Sequence, residues 1–405
     1  MEEDEFKDTE IGRIPKDWQI KKFKDCIRVI SFKYSLLKSD YQNNISGKYP
    51  VIDQSSDYIS GYSNEEGKLF NNPLPVIIFG DHTRIFKYIN FPFIPAGGGI
   101  KILHSNCENL DLKFLYYQFS SFNIPSRGYN RHFIFLQKFL IKVPPLGEQK
   151  RITHILSKIE NAIKIQDRII NSLQELKKSM MNKLFTEGIG HTEFKDTEIG
   201  RIPKEWDIFK LEDIAVVFSG NTAPQEEKYF KNGKYPFIRV RHLTKLENYK
   251  YPLKYDLIND EAVNVLKLRK FKRGSIIFPK SGESIKLEKR AILKEDSYIV
   301  NHLAVIEPTK KINNLFLFYY LNTVKTNNYL VGTSMPSLQL SIIKKLLIPI
   351  PSLDEQNRIA YILSAIDNII SIEEDRKKYF EALFKTMLNK LLTGQIRVKN
   401  LEMRE

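Results

Sequence analysis

The sequence holds only two cysteines in 405 residues, Cys26 and Cys107, and they stand in unlike surroundings. No disulfide framework and no Cys-x-x-Cys zinc spacing can be built from them, which fits a reducing compartment. No apolar run approaches the roughly eighteen residues that a bilayer span requires. The first residues are acidic, Glu2-Glu3-Asp4-Glu5, the opposite of a basic secretory leader. A cytoplasmic protein with no membrane partner is therefore expected. Catalytic signatures are missing as well. There is no GxxxxGK[ST] phosphate loop, and Gly97-Gly98-Gly99 lacks the Lys-Ser/Thr of one, so it reads as a turn. His82, His104, His132, His154, His191, His242 and His302 are scattered without metal-ligand spacing. The Asn/Asp-Pro-Pro-aromatic loop of amino-methyltransferases is also absent, since Pro144-Pro145 lies between Val143 and Leu146.

Charge of one sign is in excess. The net charge is +15, which favours an acidic partner, most often nucleic acid and sometimes an anionic membrane. Residues 17–143 hold 16 Lys and Arg against 10 Asp and Glu, and residues 205–347 hold 24 against 15. Residues 148–190 carry 8 against 5 and residues 355–392 carry 6 against 6, so two internal segments hold most of the surplus. With 42% apolar and 27% charged residues the chain is globular, and its length suits two or more domains.

Tryptophan is as scarce as cysteine, and its two copies lead to the main feature. Residues 5–16 and 193–204 are the same twelve letters, Glu-Phe-Lys-Asp-Thr-Glu-Ile-Gly-Arg-Ile-Pro-Lys, closing on Trp18 and Trp206. Pro144-Pro145-Leu146-Gly147-Glu148-Gln149 is answered 207 positions later by Pro351-Ser352-Leu353-Asp354-Glu355-Gln356. The chain is one unit written twice, alike at the ends and different in the middle. The middles read as mixed α and β. Pro75–Phe79 and Gly274–Phe278 are strand-like runs, and Phe114–Tyr117 and Phe316–Leu321 are short buried helices. Gly47-Lys48-Tyr49-Pro50 matches Gly233-Lys234-Tyr235-Pro236, so the middles share a fold; the second is 19 residues longer, which is expected to sit in loops.

Each unit ends in a long helical pattern. Ile152, Ile159, Gln166, Leu173 and Met180 fall seven apart, with Ile155, Ala162, Ile169 and Leu176 in the intermediate position and Leu156, Ile163 and Ile170 widening the stripe. Ile359, Ile366, Glu373, Phe380 and Met387 repeat the row, with Ile362, Ile369, Arg376 and Leu383 beside it. Prolines precede both helices, and Gly188 and Gly394 follow them. Such stripes need a partner, and the simplest partner for each helix is the other. Gln166, Glu373 and Arg376 form either a solvated charge group or a polar layer that fixes register.

Basic residues interleave with aromatic and polar ones in the middles. The first holds His82 and Arg84, then Arg127, Tyr129 and Arg131; the second holds Arg239 and Arg241, then Arg269, Lys272 and Arg273, then Lys280 and Ser281. These types neutralise phosphates and read base edges, so they are the candidate DNA-binding residues.

The duplicated frame, the Pro-Pro-Leu-x-Glu-Gln start of a long helix, and the Phe-Lys-Asp-Thr-Glu-Ile-Gly-x-Ile-Pro-x-x-Trp stretch resemble the specificity subunit of type I restriction-modification systems. The resemblance spans essentially the whole chain. It implies an α+β protein with two pseudo-repeated target recognition domains joined by two long helices packed as an antiparallel coiled coil. The corresponding segments are 1–147 and 191–354 for the domains, and 148–190 and 355–405 for the helices. Each domain would read one half of a bipartite, asymmetric site in double-stranded DNA. Two methyltransferase subunits and restriction/translocase subunits would join as partners, and S-adenosylmethionine, ATP and Mg would belong to those partners, with no cofactor in this chain. The alternative is a DNA-modifying enzyme with its own catalytic site in one of the middle domains.

Overall fold

The computed structural model describes residues 5–32, 36–41, 46–126, 128, 130–330 and 336–401. The chain divides into two compact units, residues 1–165 with 378–405, and residues 166–377. Each long helix therefore gives part of its length to each unit.

The first unit contains a four-stranded antiparallel sheet in the order Ile27–Ile30, Ile100–Ser105, Val76–Gly80, Phe86–Ile89. Beside it lies a three-stranded sheet, Gly61–Ser63, Tyr49–Ile52 and Ile94–Pro95, whose last pair is parallel. Val76–Gly80 is buried throughout because both faces are covered. Alternate residues point opposite ways. Ile77, Phe79 and Leu103 pack with Leu115 and Phe119 of the helix Leu112–Ser120, while Val76, Ile78 and Ile102 pack with Ile52 and Phe93.

The second unit repeats this plan. Its four-stranded order is Ala215–Ser219, Leu303–Pro308, Ile276–Pro279, Ala291–Ile292, and its three-stranded sheet is Asp256–Ile258, Tyr235–Ile238, Tyr298–Ile299, again with a parallel last pair. The shared fold of the two middles is thus present. The extra length of the second is not all loop. Part of it forms a small hairpin, Leu246–Glu247 with Tyr251–Pro252, and part the helix Asp260–Val265.

The repeated Glu-Gln pair has a defined task in each unit. Gln149 Oε1 accepts from the Asp111 backbone N–H at 2.9 Å, and Asp111 caps the helix Leu112–Ser120. Gln356 Oε1 accepts from the Asn313 N–H at 2.8 Å, and Asn313 caps the helix Asn314–Leu321. The glutamates take the tryptophans: Trp18 Nε1 donates to Glu148 Oε2 at 3.0 Å, and Trp206 Nε1 donates to Glu355 Oε2 at 3.0 Å. The segments after the two long helices close on the same carboxylates. Arg397 donates to both oxygens of Glu148 at 2.9 and 2.8 Å, and the Val398 N–H donates at 3.3 Å. On Glu355 the donors are the Ile189 N–H at 2.8 Å and His191 Nε2 at 3.0 Å. Gly188 and Gly394 turn the chain there with φ of +64° and +72°, where a Cβ would also meet Glu355 or Pro15.

The long helices are Leu146–Thr186 and Leu353–Leu392. In the first unit, Ile152 and Leu156 cluster with Leu391, Leu392, Phe384 and Met387. In the second unit, Leu184 and Phe185 cluster with Ile359, Ala360 and Leu363, and Ile170 with Ile366 and Ile370. The start of one helix meets the end of the other, so they are antiparallel. The row at seven-residue spacing faces the partner: Ile152, Ile359 and Ile366 are buried, and Ile159, Leu173, Met180, Phe380 and Met387 are half-buried. Its companion row differs from the expectation. Ile169, Leu176, Ile369 and Leu383 are 38%, 48%, 46% and 45% exposed. Leu156, Ile170, Leu184, Leu363, Ile370 and Leu391 are buried instead. The seam steps four residues and then three, so the widening stripe is the true second row. One of its members is Lys177, which enters because Asp367 on the facing helix accepts it at 2.5 Å. Gln166, 3% exposed, donates to Glu373, which also binds Arg376 at 2.9 Å, so these residues form a polar layer.

Candidate nucleic-acid interface

In each unit the parallel strand pair ends beside the end of the longest buried strand, and loops gather there. In the first unit Ile52 is followed by Asp53 and Gln54, Pro95 by Gly97–Gly99, and Gly80 by the turn Asp81–Ile85. Gln54 joins them: its side chain accepts from the His82 N–H at 3.2 Å, and its carbonyl accepts from Thr83 Oγ1 at 2.6 Å. Gly80 is required, because a Cβ would lie 2.2 Å from Thr83 Oγ1. Asp81, 3% exposed, accepts from the His132 and Phe133 backbone N–H groups at 2.8 and 2.7 Å. That contact brings the segment containing Arg131 to the same edge. Lys87 closes the base, donating to the Asp53 carbonyl at 2.8 Å. Burial lowers the Lys87 pKa, against the pull of Asp53.

The second unit uses the same backbone bonds with other side chains. The Asp81 N–H donates to the Gly99 carbonyl at 2.7 Å, and the Asp81 carbonyl accepts from the His132 N–H at 2.9 Å. At the matching place, the Lys280 N–H donates to the His302 carbonyl at 2.9 Å and the Lys280 carbonyl accepts from the Leu338 N–H at 2.8 Å. An acid in one unit stands where a base stands in the other. Ser281 Oγ lies 2.7 Å from His302 Nδ1. Asn221 clasps the Arg269 backbone, accepting its N–H at 2.7 Å and donating to its carbonyl at 2.8 Å. The Arg269 guanidinium then lies 3.5 Å over the Phe218 ring, half-exposed. Arg239 follows Ile238, the last residue of its strand, as Asp53 follows Ile52.

The expected residues sort as follows. His82, Arg131, Arg239, Arg241, Arg269, Lys280 and Ser281 belong to these loop clusters. Arg84 is exposed with φ +65°, but its guanidinium donates to the Ile124 carbonyl at 2.9 Å, so it also ties two loops together. Arg239 and Arg241 both bind Asp256, at 2.7 and 2.6 Å. Burial works against the Asp256 charge, but the two guanidiniums outweigh it and hold its pKa below the ordinary value. Lys272 and Arg273 lie at the other end of the strand Ile276–Pro279 from Lys280, with their N–H groups on Glu307 and Asp296. Arg127 and Tyr129 lie outside the described residues. Gln54, Asn221 and His302 were not among the expected residues. Their only sequence signal is a polar residue just beyond a strand.

Among the described residues, no group of three His, Cys, Asp or Glu side chains could hold a metal ion. No described helix is long and apolar enough to cross a membrane.

The family described as type I restriction modification DNA specificity domain matches twice, over residues 15–175 and 203–382. The chain is 31% identical to a putative type I restriction enzyme MjaX specificity subunit of Methanocaldococcus jannaschii, covering 98% of both. It is 29% identical to the MjaVIII specificity subunit of that organism, over 98% of this chain and 97% of the relative. It is 24% identical to the Escherichia coli EcoR124I/EcoR124II specificity subunit, over 83% of each. Among solved structures, the type I restriction-modification S subunit from M. genitalium is similar in fold, with a TM-score of 0.60, 16% identity and coverage of 92% and 96%.

Proposed function

The chain belongs to the type I restriction modification DNA specificity family, and from that premise we propose that each of its two units reads one half of a bipartite, asymmetric DNA site. Its role is recognition of DNA sequence rather than catalysis. The observation that carries the bipartite reading is the pair of loop clusters built on the same backbone bonds, with Asp81 in one and Lys280 in the other. A common scaffold gives two DNA-facing edges of one kind, and the exposed side chains mounted on it, Arg131 in one unit and Arg269 in the other, give each edge its own sequence.

The helix pair is the seat of the partners in this reading. In the second unit Ile169 and Leu176 of one helix, and Ile369 and Ile372 of the other, are exposed. In the first unit Ile165, Tyr379 and Leu383 are exposed. Ile165 and Ile372, like Leu176 and Leu383, stand 207 residues apart, so each repeat offers the same apolar positions once. That suits two copies of one methyltransferase subunit. Restriction/translocase subunits would join the assembly, and S-adenosylmethionine, ATP and Mg would act in those partners. The complex would work in the cytoplasm.

Site selection by the complex tests the division of labour. An arginine fork reads guanine edges. Arg131→Ala should therefore relax base preference only in one half-site, and Arg269→Ala only in the other. Each should cost roughly 1–3 kcal/mol where the contact is bidentate. Equal relaxation of both halves by either variant would sink the assignment.

A further inference from the structure

The second unit holds its recognition domain to the helix pair through a device with no counterpart at the same place in the first. Strands Tyr49–Ile52 and Gly61–Ser63 are joined by residues 53–60, whereas Tyr235–Ile238 and Asp256–Ile258 are joined by residues 239–255. The longer connection contains the hairpin Leu246–Glu247 with Tyr251–Pro252. In its three-residue loop Asn248 and Tyr249 both have positive φ, 48° and 60°, and the Lys250 N–H closes the turn on the Glu247 carbonyl at 3.1 Å.

The turn does not face water. Lys250 is 3% exposed. Its ammonium lies 3.3 Å from Asp367 Oδ2 on the second long helix, and its carbonyl accepts from the Ile292 N–H at 2.7 Å, on an edge strand of the four-stranded sheet. Asp367, fully buried, also accepts from Tyr319 of the domain at 2.6 Å and binds Lys177 of the first long helix. Tyr249 donates to Glu374, about two turns further along. One short hairpin thus links sheet edge, domain helix and both long helices.

The repeat shows what is added. Both units share a tryptophan–glutamate bond at the helix start, Trp18 on Glu148 and Trp206 on Glu355, and a tyrosine–carboxylate bond beyond it, Tyr117 on Glu160 and Tyr319 on Asp367. The first pair of anchors spans about 18 Å of helix from Glu148 to Glu160, at about 1.5 Å per residue. In the second unit the Tyr249–Glu374 bond extends the span from Glu355 to about 28 Å. A longer baseline leaves less room for the domain to tilt on the helices.

We propose that the Asn248–Lys250 turn is a positioning clamp that fixes where the second domain's DNA-reading loops stand along the helix pair, and so narrows the number of unread base pairs accepted between the half-sites. The proposal rests on the reading of two half-sites. Its test uses the complex with its methyltransferase partner and a DNA library in which both half-sites are kept and the spacer varies. Tyr249→Phe removes one oxygen and leaves the packing. Lys250→Met removes the buried ammonium but leaves Asp367 with Lys177 and Tyr319. The discrimination against spacers one base pair longer or shorter should fall roughly tenfold, the ratio that loss of one charge-assisted hydrogen bond gives. Half-site bases should stay the same, and Tyr249→Phe should remain folded, melting within a few degrees of the parent. Parent-like spacer profiles in both variants overturn the clamp, and so does a change in half-site bases. If the unmutated complex shows no half-site preference, the two-half-site reading itself has failed, and the clamp with it.

Discussion

Glu148→Ala is expected to destabilise the first unit by about 3–5 kcal/mol, the cost of breaking a buried ion pair by removing one partner. Glu148 is 2% exposed and receives Trp18, both arms of Arg397 and the Val398 N–H. Without it, the fully buried Trp18 indole loses its acceptor, and Arg397 keeps Asp17, at 2.8 Å, and its place over the Trp18 ring. The loss should lower the melting temperature by about 10 °C. The effect carries a pH signature. Burial alone would raise the Glu148 pKa, but the bonds from Arg397 and Trp18 outweigh it and hold the pKa below the ordinary value. A carboxyl depressed in the folded state stabilises fully above its unfolded pKa, and loses that contribution as pH falls through the folded value. Parent and variant should therefore differ most near neutrality and converge in acid. Denaturant unfolding at several pH values measures this, and a variant as stable as the parent at pH 7 would refute the latch.

The duplication, the shared fold of the two middles and the two long helices were legible because the repeat is written in identical letters. The bond from Trp18 to Glu148 was not, since it joins residues 130 apart. The sequence does place both tryptophans and both Glu-Gln pairs at matching points of the repeats, which is where a nonlocal bond used twice would leave its trace. The second helical row was misread for a different reason. Ile155, Ala162, Ile169 and Leu176 and the row Leu156, Ile163, Ile170, Lys177 and Leu184 both fit a seven-residue period. Over five positions each row holds four apolar residues and one lysine, Lys183 in the first and Lys177 in the second, so apolar content does not choose between them. The fold takes the second, because Asp367 satisfies Lys177 from the facing helix.

The reading edge was legible only in part. The sequence shows where cations are dense but not which are already engaged. Arg239 and Arg241 resembled free phosphate ligands, yet Asp256, at least fifteen residues further on, holds both. The run from Arg269 to Arg273 resembled one patch. Asn221 places Arg269 on Phe218, while Lys272 and Arg273 go to the far end of the neighbouring strand. What the sequence did show was that the surplus charge lies in the divergent middles, and the loops gather within them.

Those engaged cations bear on the salt dependence of DNA binding, which should be the largest effect in solution. Each phosphate neutralised releases counterions, and the logarithm of affinity falls with that of salt at about 0.9 per contact. If the complex makes six to ten such contacts, its affinity should fall by roughly 10³–10⁵ between about 50 and 200 mM salt. The formal charge of +15 overstates what this chain can contribute. Lys87, Lys250 and Arg290 are buried, and Arg239 and Arg241 share Asp256. Lys280 differs: it stands in a loop cluster, half-buried, and a lysine acts as a compact charge suited to phosphate. Lys280→Ala should reduce the salt slope by about one and weaken all sequences alike. Arg241→Ala should change the slope less, because its guanidinium is held on Asp256, which it shares with Arg239. Binding isotherms of the three complexes across this salt range decide the matter. An affinity that stays flat, or a slope that changes for Arg241→Ala and not for Lys280→Ala, would show that the DNA-facing edge lies elsewhere.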